Sequence, residues 1–176
     1  MQAPATLVGQ SPSFLDAVER ASLAAALNRP VLVIGERGTG KELIAERLHR
    51  LSPRWGGPLV TLNCAALPEN LIDAELFGYE SGAFTGATRA RAGRFEDADG
   101  GTLFLDEIAT LSAGAQERLL RVVEYGELTR LGSNRPVSVD VRVVGATNED
   151  LPALARSNRF RADLLDRLSF EVVTLP

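Results

Sequence analysis

The feature that most constrains the fold is a short apolar run followed at once by a glycine-rich loop and a helical pattern. The run is Val31-Leu32-Val33-Ile34, the loop reads GERGTGK over residues 35–41, and apolar residues recur at helical spacing from Lys41 to Ser52. A continuous apolar run is typical of a strand buried on both faces in a parallel sheet. The order strand, glycine loop, helix is the context in which GxxxxGK indicates a phosphate-binding loop. The sequence therefore predicts an α/β fold with a parallel sheet between helices.

The loop supplies the candidate cofactor-binding residues. These are Gly35, Glu36, Arg37, Gly38, Thr39, Gly40, Lys41 and Glu42. Backbone N–H groups of such a loop, and of the helix that follows it, point at phosphate oxygens. Lys41 is the only lysine among 19 basic residues, and a compact ammonium suits a slot beside the β- and γ-phosphates. The alternative is a glycine-rich turn with a solvated lysine.

Glu42 departs from the usual phosphate-binding loop, which has serine or threonine after the lysine to ligate Mg²⁺. The metal must then depend on other oxygens. Thr102 to Asp106 predicts a strand that ends in two carboxylates, Asp106 and Glu107. We expect Asp106 to bind Mg²⁺ or its water and Glu107 to polarise the attacking water. Adjacent strand residues point to opposite faces, so the two roles can divide only where the strand ends and the backbone turns.

Two asparagines follow other predicted strands. Asn63 comes after Leu59–Leu62, and Asn148 comes after the strand that begins at Val141. Open α/β sheets place their ligands at the carboxyl ends of strands, so Asn63 is a candidate site residue. A turn-forming asparagine is an equal alternative. Asn148 is a candidate for orienting water or sensing the γ-phosphate.

A second glycine-bounded motif lies between a predicted helix, Pro68 to Phe77, and the acid-ended strand. It consists of Gly82, Ala83, Phe84, Thr85, Gly86 and Ala87. Glycines at both ends let the backbone turn freely, and an apolar ring at a loop tip favours contact with a partner. The alternative is a tight turn whose Phe84 folds back onto the domain. A hairpin is predicted over Glu127 to Asp140, around Gly132 to Pro136.

Other patterns complete the predicted order. Ser11-Pro12 indicates a helix start, with Phe14, Leu15, Val18 and Leu23 as its apolar face. Helices are also predicted over Ser112–Tyr125 and Phe160–Leu168, and a last strand over 170–175.

Length and composition limit the classes of function. A chain of 176 residues is long enough for one domain with a substantial core. Its net charge of −4 argues against a general nucleic-acid binder. One cysteine, no apolar run of membrane length and no signal-peptide pattern over Met1 to Val8 lead us to expect a cytoplasmic protein without membrane contact.

Together these motifs resemble the AAA+ ATPase domain of bacterial enhancer-binding proteins, the activators of sigma-54 RNA polymerase, and within them the phage-shock subgroup. The residues from Gly82 to Ala87 read GAFTGA, the signature of that family. The resemblance implies ATP and Mg²⁺ as cofactors and a hexameric ring. It also implies that ATP hydrolysis raises the GAFTGA loop to engage sigma-54, which converts the closed promoter complex to an open one. The hairpin matches the second loop that faces the pore of the ring.

The resemblance also implies residue roles. Residues 35–42 match Walker A, Asp106 and Glu107 match Walker B, and Thr147-Asn148 matches sensor I. Asn63 matches the polar residue that pairs with the Walker B glutamate. Arg161 and Arg167 match arginine fingers that enter the site of the neighbouring subunit. Their alternative is surface charge with carboxylate partners such as Asp163 and Asp166.

In this family a helical lid and a DNA-binding helix-turn-helix follow, so we expect the chain to be a fragment without them and DNA contact to reside in the absent part. Control by a separate inhibitor protein is also expected, with Trp55 as its candidate contact. The alternative for Trp55 is partial burial at a helix end. Two other functions stay open: a remodelling ATPase of another clade, such as a chelatase or helicase loader, and a nucleotide-binding interaction module that does not hydrolyse.

Overall fold

The computed structural model describes residues 11–176, so Met1 to Val8, over which no signal peptide is predicted, lie outside the described residues. The helices are α1 Pro12–Ala25, α2 Lys41–Arg50, α3 Glu69–Phe77, α4 Arg94–Asp97, α5 Ala113–Tyr125, α6 Leu151–Arg156 and α7 Ala162–Leu168, with a 3-10 turn at Ile108–Thr110. The strands are β1 Val31–Ile34, β2 Leu59–Asn63, β3 Thr102–Asp106, β4 Glu127–Thr129, β5 Pro136–Ser138, β6 Arg142–Thr147 and β7 Glu171–Thr174.

Five strands form one parallel sheet in the order β2-β3-β6-β1-β7. The apolar run of β1 lies between β6 and β7, and Val31, Leu32 and Val33 are buried, as predicted for a strand covered on both faces. In this register Asn63 of β2 is aligned with Asp106 of β3. All strands point the same way, so their carboxyl ends meet at one edge of the sheet.

Helix α1 begins where the sequence predicts, because the Ser11 hydroxyl accepts a hydrogen bond from the Phe14 amide at 3.2 Å. The predicted apolar face was wrong for Leu15 and Leu23, whereas Val18 packs against the core as predicted. The buried side chains of α1 are four alanines, Ala17, Ala21, Ala24 and Ala25, whereas Leu15 and Leu23 are 53% and 70% exposed. Small side chains allow α1 to lie close against α2 and the sheet, so the larger residues are turned outward.

The remaining elements follow the prediction except at three helices, α7, α4 and α6. Helix α7 begins at Ala162, two residues later than expected, because Arg161 has an extended backbone (φ −68°, ψ 125°). The one-turn helix α4 and the six-residue α6 are too short to show a period in the sequence. The antiparallel hairpin of β4 and β5 is confirmed, with Leu128 opposite Val137.

The core lies on both sides of the sheet. On one side Ile44 and Leu48 of α2 pack with the alanines of α1. On the other side α3, α5 and α7 contribute Phe77, Leu119 and Leu164, all fully buried. The helices cover both faces, which leaves the carboxyl edge of the sheet open for a site. None of the helices within residues 11–176 combines the length and apolar character needed to cross a membrane.

Candidate active site

The glycine loop joins β1 to α2 and forms one wall of a cavity of about 650 Å³. Gly40 is the N-cap of α2 with φ 92°, a left-handed conformation that favours glycine. Lys41 is buried, and its Nζ donates a hydrogen bond to the Gly35 carbonyl oxygen at 2.8 Å. The Thr39 hydroxyl donates to the Glu36 carbonyl oxygen at 2.6 Å. The loop is therefore curled by hydrogen bonds within it, and Lys41 lines the cavity.

The opposite wall is formed where β3 ends. Asp106 is the last residue of the strand, and Glu107 has a left-handed backbone with φ 54°. The Asp106 Oδ1 accepts a hydrogen bond from the Glu107 amide at 2.9 Å. The backbone thus turns between the two carboxylates, which allows both side chains to line the same cavity as Lys41. Such strain in a non-glycine residue is found mainly at functional sites.

The exposed guanidinium of Arg37 faces the buried carboxylate of Glu107. The Nε of Arg37 lies 3.7 Å from the Oε1 of Glu107, with the arginine side chain 82% exposed and the glutamate side chain 10% exposed. An ion pair of this length with one exposed partner contributes little to stability. The contact therefore leaves Glu107 accessible to a ligand that enters the cavity.

Asn63 reaches the cavity from the end of β2. Its Oδ1 accepts a hydrogen bond from the Ala65 amide at 2.9 Å. Both interpretations of this residue therefore apply, because it lines the cavity and also forms a turn. The next residue, Cys64, is buried, and its amide donates to the Asp106 carbonyl oxygen at 2.9 Å. Burial, with Asp106 and Glu107 nearby, raises the pKa of the Cys64 thiol to about 12, so it is protonated at neutral pH.

Thr147 and Asn148 lie at the end of β6, beside the start of the glycine loop. The Gly35 amide donates to the Thr147 carbonyl oxygen at 3.1 Å. Thr147 is fully buried, and its hydroxyl accepts from the Glu149 amide at 2.9 Å. Asn148 is exposed and does not line the cavity. The structure thus places Asn148 at the predicted edge without bringing its side chain into the site.

The two predicted finger arginines do not line the cavity of their own chain. Arg161 forms a two-pronged ion pair with Asp163, at 3.0 and 2.9 Å, and this contact lowers the pKa of the Asp163 carboxyl. Arg167 donates to the Glu124 carboxylate of α5 at 2.7 Å. The side chains of Arg161 and Arg167 are 42% and 57% exposed, so both are accessible to a second molecule.

The GAFTGA loop stands apart from the cavity, between α3 and α4. Its base is closed by a hydrogen bond from the Gly82 amide to the Ala87 carbonyl oxygen at 2.7 Å. The Phe84 ring meets the Tyr79 ring edge-on with centroids 4.9 Å apart, yet Phe84 remains 43% exposed. Phe84 thus folds back in part and still presents an apolar surface, while Thr85 is exposed at the tip.

The GAFTGA loop is docked on the β4–β5 hairpin. The Glu80 amide donates to the Leu131 carbonyl oxygen at 3.0 Å. Arg130 forms two hydrogen bonds to Glu96, at 2.9 and 3.0 Å, and one to Glu80 at 3.3 Å. These contacts raise the pKa of the Arg130 guanidinium. The role of Arg130 was missed in the sequence, because nothing in its local pattern indicates partners 34 and 50 residues away.

Trp55 lies in the turn after α2 and is 72% exposed. Partial burial at a helix end, the alternative considered for this residue, does not describe it. A large exposed aromatic ring is available for contact with another protein.

Comparison with known protein families matches residues 7–174 to a family described as the sigma-54 interaction domain. The Psp operon transcriptional activator of Escherichia coli (strain K12) is 64% identical over 170 residues, which cover 97% of this chain and 52% of the relative. The predicted likeness to phage-shock activators is thus confirmed. The Nif-specific regulatory protein of Azotobacter vinelandii is 52% identical, with 97% of this chain and 33% of the relative covered. The chain spans about half the length of the first relative and a third of the second.

Solved structures show the same fold. The structure of NtrX from Brucella abortus in complex with ATP has a TM-score of 0.89 and 34% identity, and covers 97% of this chain and 37% of NtrX. A second structure of NtrX, in complex with ADP, matches with the same TM-score and identity.

Proposed function

The chain belongs to the family of sigma-54 interaction domains, which are AAA+ P-loop NTPase domains, and we propose that it hydrolyses ATP to remodel sigma-54 RNA polymerase through the GAFTGA loop. One observation carries the proposal. Lys41, Asp106 and Glu107 line a single cavity, while the exposed GAFTGA loop lies outside it. This separation suits an ATPase that remodels a partner, because the cavity hydrolyses ATP while the GAFTGA loop contacts sigma-54.

Nucleotide binding uses the residues of the glycine loop. The loop amides and the amides at the N-terminus of α2 donate hydrogen bonds to the phosphates. Lys41 exchanges its hydrogen bond to Gly35 for one to the β- and γ-phosphates. The NtrX structures with ATP and ADP support this choice of ligand. Glu42 and Asp106 line the cavity, and one or two carboxylates suit Mg²⁺, which otherwise keeps waters and phosphate oxygens as ligands. When bound, Mg²⁺ neutralises the charge that develops on the phosphates.

Hydrolysis depends on Glu107, which accepts a proton from the attacking water. In the structure its carboxylate contacts Arg37, and the Asn63 Oδ1 accepts a hydrogen bond from the Ala65 amide. We propose that Asn63 and Glu107 leave these partners and contact each other in one nucleotide state, so that their pairing depends on whether ATP or ADP is bound. Asn148 lies at the same edge of the sheet, but its side chain is exposed and does not line the cavity, so we propose that it turns toward the γ-phosphate only when nucleotide binds.

The site is completed by a second subunit. Arg161 and Arg167 are exposed and lie outside their own cavity, which suits residues that act on the phosphates of a neighbour. A finger supplied in trans contributes on the order of 10³–10⁵ in rate. We therefore propose a homo-hexameric ring.

The GAFTGA loop transmits the result to sigma-54. It is joined to the cavity through α3, which follows Asn63, and the segment that leads into it is joined to the hairpin through the contact of Arg130 with Glu80. Thr85 and the exposed part of Phe84 form the contact surface. Trp55 is proposed as the contact for an inhibitor protein, and enhancer DNA as the ligand of a separate DNA-binding domain.

The test is binding of sigma-54 by the full-length gene product in the presence of ADP and aluminium fluoride, which mimic ATP at its transition state. We expect a complex that depends on the nucleotide and is lost in Thr85→Ala, while the ATPase rate stays largely unchanged. Thr88→Ala is the matched control, because Thr88 is equally exposed and lies just outside the motif. A Thr85→Ala chain that binds sigma-54 normally, or that has lost its ATPase activity, would count against this role of the loop.

A further inference from the structure

Gln116 is a buried polar residue that has no role in the proposed reaction so far. It lies in the first turns of α5 and is 3% exposed. Its Nε2 donates to the Leu111 carbonyl oxygen at 2.9 Å, and its Oε1 accepts from the Arg161 amide at 2.8 Å. Both partners are backbone groups of fixed polarity, so the orientation of the Gln116 amide is determined by them.

One end of this amide is held on the segment that carries Glu107. The 3-10 turn Ile108–Thr110 joins Glu107 to Leu111. The amide and the hydroxyl of Thr110 both donate to the Glu107 carbonyl oxygen, at 3.1 and 2.9 Å. The path from Glu107 to the Gln116 side chain is therefore short and hydrogen-bonded at each step.

The other end fixes the backbone of Arg161. This residue is extended and caps α7, and its carbonyl oxygen accepts from the Leu165 amide at 3.0 Å. Its neighbour Phe160 is buried in the core. The side chain, in contrast, is partly exposed, and its one ion-pair partner among residues 11–176 is Asp163. Arg161 is thus an exposed cation on an anchored backbone, and Gln116 supplies the side-chain hydrogen bond to that backbone.

We propose that Gln116 is a positioning residue that sets the place of Arg161 for use at the phosphate site of the neighbouring subunit. This rests on the proposed function, in which Arg161 acts in trans. Each subunit then contributes two half-sites, its own Glu107 and an arginine for its neighbour. The buried side-chain amide of Gln116 is hydrogen-bonded to the segment that follows Glu107 and to the backbone of Arg161. A displacement of about 1 Å at a reacting group can cost on the order of 100-fold in rate, so loss of this anchor acts on the half-site that Arg161 serves.

The experiment mixes two inactive variants of the full-length gene product. An Arg161→Ala chain has an intact cavity but lacks one of the two proposed finger arginines, and a Lys41→Ala chain has both arginines but binds ATP only weakly. ATPase activity is expected to return when they are mixed, because the second chain supplies Arg161 to the first. Gln116→Met is then added to one chain at a time. Methionine is similar in size to glutamine but neither donates nor accepts at these positions.

We expect Gln116→Met in the Lys41→Ala chain to lower the restored rate by about 10- to 100-fold. The same substitution in the Arg161→Ala chain should leave the restored rate within about twofold, since that chain offers only its cavity and the turn after Glu107 keeps the two hydrogen bonds from Thr110. This second mixture also shows that the variant folds and assembles. Leu119→Met, on the same buried side of α5 and without a polar contact, is the control in the finger-supplying chain.

Equal loss of activity in both arrangements would mean that Gln116 has only a general structural role, and the proposal would be overturned. Full restoration in both arrangements would overturn it as well. Failure of the first mixture, before Gln116 is changed, would instead remove the action of Arg161 in trans. That outcome would overturn both the action of Arg161 in trans and the positioning role of Gln116. It would do so before Gln116 is changed, so it can be told apart from a failure of the Gln116 proposal alone.

Discussion

The single lysine of the chain has its ammonium group turned back onto the loop that would hold the phosphates, 2.8 Å from the Gly35 carbonyl oxygen. We expect Lys41→Ala to weaken ATP binding by at least about 100-fold, because a buried charge-assisted contact is lost. Titration with a fluorescent ATP analogue measures this. Arg50→Ala removes an exposed cation from the last turn of the same helix and should bind normally. Tight ATP binding by Lys41→Ala would contradict the phosphate-loop assignment.

Glu107 allows binding and turnover to be separated at one residue. Removal of its carboxylate leaves the glycine loop and Lys41 in place, so we expect Glu107→Ala to retain ATP binding. Its ATPase rate should fall by about 10²–10⁴, the usual contribution of a general base. The lost contact to Arg37 has little effect because that arginine is largely exposed. Parallel measurement of nucleotide affinity and phosphate release would test this, and a normal turnover rate would exclude Glu107 as the base.

At the scale of elements, α1 is fixed to the sheet by one buried guanidinium. Arg142 of β6 donates to the carbonyl oxygens of Ala24, Ala25 and Arg29 at 2.7, 2.9 and 3.0 Å, and so closes the C-terminal end of α1. Burial, with Arg54 nearby, lowers the pKa of Arg142 to about 10, so it is still charged at neutral pH. The fold therefore depends on a cation placed where helix carbonyls would otherwise be unpaired.

We expect Arg142→Met to lower the free energy of unfolding by about 3 kcal/mol, since charged hydrogen bonds are lost and buried carbonyls are left without a partner. That loss corresponds to a fall in Tm of roughly 6–12 °C for a domain of this size. Thermal unfolding followed by circular dichroism measures the change. Arg135→Met, in the exposed hairpin turn, is the matched control. Equal Tm values for the two variants would show that the capping contacts contribute nothing.

The elements that the sequence predicted well are those whose pattern is local. The strand of residues 31–34, the glycine loop and the acid-ended strand all have short signatures, and each lies where expected. The buried face of α1 was mispredicted because a hydrophobic pattern gives more weight to large apolar residues than to alanines. The alanines are buried instead, because their small side chains allow α1 to pack closely. Gln116 and Arg130 could not be assigned roles, because Arg161 and Glu96, the partners that give them those roles, are tens of residues away and are brought near only by the tertiary fold.

At the scale of the whole molecule, the chain carries two incomplete halves of a reaction site. The cavity has Lys41, Asp106 and Glu107 but no arginine finger, and Arg161 is exposed elsewhere. The only other cation at the cavity, within the part of the chain that the structure describes, is Arg37, which is largely exposed. We therefore expect a single subunit of this design to bind nucleotide but to lack the charge that stabilises the transition state.

Activity should therefore depend on assembly. We expect the ATPase rate per subunit of the full-length gene product to rise with protein concentration and to reach a plateau as the oligomer forms. Nucleotide affinity should change little, because the glycine loop belongs to one subunit. Sedimentation and ATPase assays at the same concentrations would show whether the two curves coincide. Arg161→Ala should assemble along the same curve with a low rate throughout, since it removes one of the two finger arginines and leaves the cavity intact. A rate per subunit that is constant down to concentrations at which only monomers sediment would contradict a site shared between subunits.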